Sequence, residues 1–335
     1  GNKGIQKDLD DGIDTIGKKM TVCQLYAKQI RHRGNVRYNT KNGRKRLMKL
    51  LEEDKLGGCP IDSVKLSDAK EWAIRMKEKG ISYKTISNDK RSLKAAFYTA
   101  IQDDCIRKNP FDFQLNTVIE DDTEPKVPLT PAQEESFLSF AQNDKVYQKY
   151  YDELIILLGT GLRISELCGL TDTDINFENR IINVDHQLLR SAETGYYIET
   201  PKTKSGIRQI PMSEKVYEAF NRVLKRRRGA KAVTIDGYSN FLFLNRDGYP
   251  KTATNYDGMF RGLAKKYNKY HEEALPKVMT PHTLRHTFCT NMANAGMNPK
   301  ALQYIMGHSN ITMTLNYYAH ATFDSAKAEM LRIAA

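Results

Sequence analysis

The chain has 335 residues, enough for two domains with separate cores, and carries a formal charge of +12 with a sequence pI near 9.3. An excess of this size selects a polyanionic partner, nucleic acid ahead of a membrane surface. No apolar run approaches the roughly 18 residues of a spanning helix and the polar start has no signal-peptide core, so a soluble, intracellular chain is expected. Five scattered cysteines (Cys23, Cys59, Cys105, Cys168, Cys289) form no CxxC pair, which argues against a disulfide framework and for reduced packing residues. The first residue is Gly rather than Met, which suggests a natural N-terminus further upstream.

Residues 1–20 read as a polar linker or tail. Helices are predicted from Thr21, with Val22, Leu25, Tyr26 and Ile30 near one face, and from about Val36 to Leu51. Arg31, Arg33, Arg37, Lys41, Arg44 and Lys45 fall in a stretch free of acids, where a solvated helix face would alternate Lys with Glu; they are candidate DNA contacts. Ser67 and Asp68 are predicted to cap a helix that ends at Gly80, and Ser87 to Cys105 a longer one with Lys90, Arg91 and Lys94 on a basic side, stopped by Asn109 and Pro110. Residues 21–110 thus form a helical DNA-binding domain.

Residues 111–128 have a linker's composition, and Thr130, Pro131 and Gln133 start the first helix of a second domain, residues 129–322. Helices near 131–142 and 146–158 precede a change of period. Ile175 to Val184 and Tyr197 to Thr200 are β-rich, and Ile207 to Met212 is predicted to pair back across a basic turn containing Lys202 and Lys204. Helices resume at about Glu214 to Arg227, Asn255 to Tyr270, Thr283 to Ala295 and Pro299 to Met306, with a short one near Tyr317 and a C-terminal one in 323–335. The fold class is mainly α with a small antiparallel sheet, α+β.

Between Ala274 and Phe323 there is no Asp or Glu, yet this stretch holds His282, Arg285, His286, His308, Tyr317, Tyr318 and His320. Cations, imidazoles and a phenol without a carboxylate suit a phosphate anion and metal-free attack on a phosphodiester. His282 and Arg285, three apart, share one helix face. His282 and His286 have a zinc-like spacing, but no Glu follows His282 and the cationic surroundings repel a dication, so no metal is expected. Glu166, three residues after Arg163, either orients it or forms an ordinary surface pair.

Four segments in order, GTGLRISEL (159–167), PKTKSGIRQIP (201–211), HTLRH (282–286) and LQYIMGHSNITMTLNYYAH (302–320), resemble the tyrosine recombinases, of the integrase kind found on phages and conjugative transposons. The resemblance implies a core-binding domain and a catalytic domain forming a C-shaped clamp on DNA, a 3′-phosphotyrosine intermediate, and recombination through a Holliday junction without a cofactor. It implies Arg163 and Arg285 as forks on nonbridging oxygens and His308 as a donor to phosphate, with His282 as the base. It places the general acid just before the turn, at Lys202 rather than Lys204, although chemistry alone leaves the two equal, and makes Lys204 a DNA contact. It places the nucleophile two residues before His320, at Tyr318, leaving Tyr317 to pack or touch DNA. Implied partners are double-stranded attachment or transposon-end DNA and further copies of the chain, from dimer to tetramer, with an excisionase or a host DNA-bending protein as accessory. The implied setting is the bacterial cytoplasm, at the nucleoid; the C-terminal helix is expected to dock on a neighbouring copy. A type IB topoisomerase-like strand transferase and a noncatalytic DNA-binding protein on the same fold are the alternatives.

Overall fold

The computed structural model describes residues 19–34, 36–201, 203–227, 229, 233–318 and 330–331. Lys202, His320, residues 1–18 and nearly all of the C-terminal helix expected in 323–335 lie outside the described residues. The chain divides after Glu124 into two compact units.

The first unit is helical: α1 (Val22–His32), α2 (Tyr38–Glu52), α3 (Leu66–Glu78) and α4 (Tyr83–Gln102). Thr21 starts α1 through a reciprocal capping box with Gln24. The expected cap at Ser67 is corrected: the cap position is Lys65, two residues earlier, and Asp68 reaches back to its backbone amide. Gly80, at φ +77°, ends it as anticipated. The fourth helix starts at Ser82, not Ser87, and stops before Asn109 because Asp104 turns left-handed at φ +53°. Trp72, Leu93, Phe97 and Phe111 are buried together, with Trp72 edge-on to Phe111 at 5.7 Å between ring centroids. Trp72→Ala is therefore expected to destabilise this unit by about 3–5 kcal/mol. Urea unfolding followed by circular dichroism measures it, and a loss under about 1 kcal/mol contradicts this packing.

The basic side of α4 is also corrected. Lys90 is buried, its ammonium 4.4 Å from the Phe113 ring centroid, and desolvation lowers its pKa. Lys94 pairs with Asp112 at 2.5 Å, while Arg91 stays exposed. Arg31, Arg33, Lys41 and Lys45 are exposed, with Arg37 and Arg44 half-buried.

The second unit opens with α5 (Pro131–Asn143), capped reciprocally by Thr130 and Gln133 as anticipated. Its central helix α6 (Tyr151–Thr160) buries Leu154, Ile156, Leu157 and Leu158, which together exceed a single apolar stripe. Then follow α7 (Ile164–Gly169), β1 (Ile175–Asn176), β2 (Ile181–Val184), β3 (Gln187–Ser191), β4 (Gly195–Glu199), β5 (Arg208–Pro211), α8 (Glu214–Arg227), α9 (Ala253–Tyr270), α10 (Pro281–Asn294), α11 (Pro299–Met306) and α12 (Thr312–Leu315). A 3₁₀ turn at Asn316–Tyr318 carries both tyrosines.

The strands form two sheets rather than the one expected. β5 pairs with β2, Ile182 opposite Ile210, in the order β1-β2-β5, whereas β4 pairs with the unanticipated β3. The connection from β4 to β5 is thus a crossing between sheets and not a hairpin. Burial explains the choice: β5 alternates buried Arg208 and Ile210 with exposed Gln209, matching β2, while every residue of β4 is half-buried.

Candidate active site

Helix ends build the site. α6 terminates at Gly161, φ +64°, where a Cβ would lie 2.5 Å from Phe288; no other residue fits there. α11 terminates at Gly307 in the same left-handed conformation, φ +61°. The carbonyls at such ends lack helical partners and carry the negative pole of the helix. Arg285, on α10 and nearly buried, donates Nη1 to Gly161 O and Nη2 to Met306 O, holding both ends with one guanidinium.

Arg163 precedes α7 and is half-exposed; its Nη2 donates to Gly307 O at 3.0 Å and its Nη1 to Glu166 Oε1 at 2.7 Å. Glu166 is buried and also accepts from the Arg163 amide at 2.9 Å, which decides between the two readings of this pair in favour of orientation. Arg208, for which no role was expected, grips the same carboxylate through Nη1 at 3.1 Å and Nη2 at 2.9 Å. Its signal was present in the quoted segment PKTKSGIRQIP, as an arginine alternating with buried Ile210, but only pairing shows it to be inward. These cations hold Glu166 down to a pKa of about 2 against its burial. Burial lowers Arg285 to about 9, with Arg163 adding to the effect, so it stays cationic at neutral pH.

His308, just past α11, is buried and its Nδ1 lies 2.9 Å from the hydroxyl of Thr314, itself fully buried. In the tautomer whose Nδ1 accepts from that hydroxyl, Nε2 carries the proton and can donate it. Burial and the surrounding arginines push His308 down to about 4. His282, at the start of α10, also falls to about 4, through desolvation and then the neighbouring Lys126, Arg285, His286 and Arg163. Both imidazoles are neutral at pH 7. Their folded pKa values lie below the unfolded value of 6.5, so the stability they allow is complete above about 6.5 and is lost as pH falls towards 4. Glu166, depressed from 4.5 to about 2, adds loss below 4.5. Melting temperature is expected to fall across this window, and His308→Gln to flatten the slope between 6.5 and 4; an unchanged slope in that variant contradicts the assignment.

The adjacent tyrosines are separated differently from the sequence expectation. The hydroxyl of Tyr318, expected to be the nucleophile, donates to Met297 O at 2.5 Å. The hydroxyl of Tyr317 lies 3.0 Å from His286 Nδ1, on the helix that carries Arg285; burial and then Cys289 raise the Tyr317 pKa, with the Arg285 charge opposing them. Lys204 is exposed on the crossing turn. Arg163 and Arg208 thus share the Glu166 carboxylate, while two neutral histidines and the Tyr317 phenol lie within electrostatic reach of Arg285, a geometry suited to a phosphodiester.

Residues 128–325 match the phage integrase family. The chain belongs to this family of tyrosine recombinases. It is a site-specific DNA recombinase, cleaving and rejoining DNA strands, and the family needs no metal for this. The recombinase is 69% identical over 329 residues to the transposase from transposon Tn916 of Enterococcus faecalis, covering 98% of this chain and 81% of that protein. Among solved structures it is similar to the Tn1549 transposon integrase in complex with a circular intermediate DNA, at TM-score 0.89 and 78% identity, covering 94% of this chain and 99% of that one. It is equally similar to the same integrase with transposon right end DNA, at TM-score 0.88 and 78% identity, covering 94% and 100%. Among the described residues no helix is long and apolar enough to cross a membrane.

Proposed function

We propose that this recombinase integrates and excises a conjugative transposon, acting on its ends and on a circular intermediate, as the DNA in the Tn1549 integrase complexes suggests. In this reading residues 21–110 are the core-binding domain and 129–322 the catalytic domain, each contacting duplex DNA. Arg163 and Arg285 grip the nonbridging oxygens and stabilise the charge of the pentacoordinate transition state. His308 donates through Nε2, and His282, neutral at pH 7, takes the phenol proton. Lys202 protonates the leaving 5′ oxygen, with Lys204, two residues on in sequence, as the other candidate; Lys202 lies outside the described residues.

The nucleophile is Tyr317 rather than Tyr318. The observation that carries this is the contact of its hydroxyl with His286 beside Arg285, while Tyr318 is spent on Met297 O. A second support comes from the solved Tn1549 integrases, in which one arginine and one tyrosine are substituted; the same number of positions separates Arg163 from Tyr317 here. Attack by the Tyr317 oxygen forms a P–O bond to the 3′ phosphate as the 5′ oxygen leaves, so the bond is conserved for rejoining and no ATP is needed. Exchange of two strand pairs through a Holliday junction, in an assembly of four copies with an excisionase or host DNA-bending protein, completes the reaction in the bacterial cytoplasm. The test is a nicked suicide substrate carrying attachment ends, incubated with the protein in EDTA. A covalent 3′-phosphoryl adduct is the result expected; tight binding without any adduct would move the chain to the noncatalytic class.

A further inference from the structure

We propose that Arg208 is a positioning residue for strand cleavage, coupling the turn that carries Lys204 to the arginine clamp. The inference rests on the site proposed above. Arg208 begins β5 and is 3% exposed. Besides its two bonds to Glu166, its Nη1 donates to Gly206 O at 3.0 Å and its Nε to Ile305 O at 2.5 Å. One guanidinium therefore joins three segments. Gly206 closes the turn after Lys204, Glu166 holds Arg163, and Ile305 lies in the last turn of α11, immediately before Met306 and Gly307, whose carbonyls hold Arg285 and Arg163.

Two physical features make this more than a buried ion pair. The first is geometric: the donors leave in different directions within one plane, which an ammonium with three tetrahedral donors does not reproduce. Backbone spacing has adapted to it, since a Cβ on Gly307 would sit 3.1 Å from Arg208 Nη1 and 3.0 Å from Ser205 O. The second is electrostatic. Glu166 supplies one negative charge to two guanidiniums, so the Arg163–Glu166–Arg208 set retains a net positive charge for a phosphate. Without Arg208, Glu166 neutralises Arg163 and the clamp loses half its charge.

The experiment compares single-turnover cleavage by wild type, Arg208→Lys, Arg163→Lys and the double variant on the nicked substrate. It is repeated with a sulfur in the bridging 5′ position, whose thiolate leaves without a proton donor. Arg208→Lys is expected to slow cleavage roughly 100-fold, the scale of a misplaced catalytic group, with DNA affinity changed less than about threefold. The sulfur substrate is expected to restore at least about tenfold, because the turn no longer has to deliver a proton. Added to Arg163→Lys, it is expected to cost less than its effect alone, since both act through Glu166. If Arg208→Lys melts below the assay temperature, Glu166→Gln, which keeps the size of the acid, is expected to show the same non-additivity with Arg163→Lys. A folded, DNA-binding Arg208→Lys that cleaves within threefold of wild type overturns the proposal, as does a loss that sulfur does not relieve and that adds fully to Arg163→Lys. A wild-type protein that forms no adduct strikes the proposed site itself.

Discussion

Tyr317→Phe is expected to abolish the covalent adduct and lower cleavage by at least ~10⁴-fold, while leaving DNA binding intact. Tyr318→Phe is expected to keep cleavage within about tenfold of wild type. The two side chains sit in one 3₁₀ turn, where successive residues point about 120° apart, and although both pack against the cluster holding Phe288 and Cys289 of α10, their hydroxyls take different partners. The Tyr317 ring lies 5.0 Å from His286 by centroids, on the helix that carries Arg285, while the Tyr318 hydroxyl is committed to Met297 O. Burial raises the Tyr317 pKa while Arg285 lowers it, so in the DNA-free state the phenol is protonated at pH 7, and attack requires a base. Peptide mapping of the adduct decides between the residues. A phosphoryl peptide carrying Tyr318 in the Tyr317→Phe protein would overturn the assignment.

Arg285→Lys is expected to reduce cleavage by ~10²–10³-fold, the scale for removing one preorganised donor from a transition state, with a much smaller change in DNA affinity. An arginine at this position satisfies the carbonyls at the ends of α6 and α11 and still has N–H groups left for a nonbridging oxygen. Lysine carries three donors on a single nitrogen, so holding two carbonyls leaves one for the phosphate and no fork. Burial places the Arg285 pKa at about 9, and a lysine in the same surroundings would be pushed down from a lower starting value, weakening the charge further. Cleavage rates within tenfold of wild type in a correctly folded Arg285→Lys protein would remove Arg285 from the clamp.

Much of this molecule was legible in the chain as a string of residues. Thr21 with Gln24 and Thr130 with Gln133 start helices through contacts three residues long, and Gly80 ends one by its own backbone freedom; such signals need no partner from elsewhere. The absence of acids from Ala274 to Phe323 and the spacing of His282 and Arg285 likewise specify a phosphate-binding chemistry before any fold is known. The pairing of β5 with β2, the burial of Lys90 against Phe113, the grip of Arg208 on Glu166 and the separation of Tyr317 from Tyr318 were not legible in this way. Each depends on a partner distant in sequence or on which side of a turn faces the core. Composition and short-range pattern determined what this protein acts on and with which groups, while the packing of helix ends against one another decided which of those groups face each other, because orientation is set by contacts that local spacing does not encode.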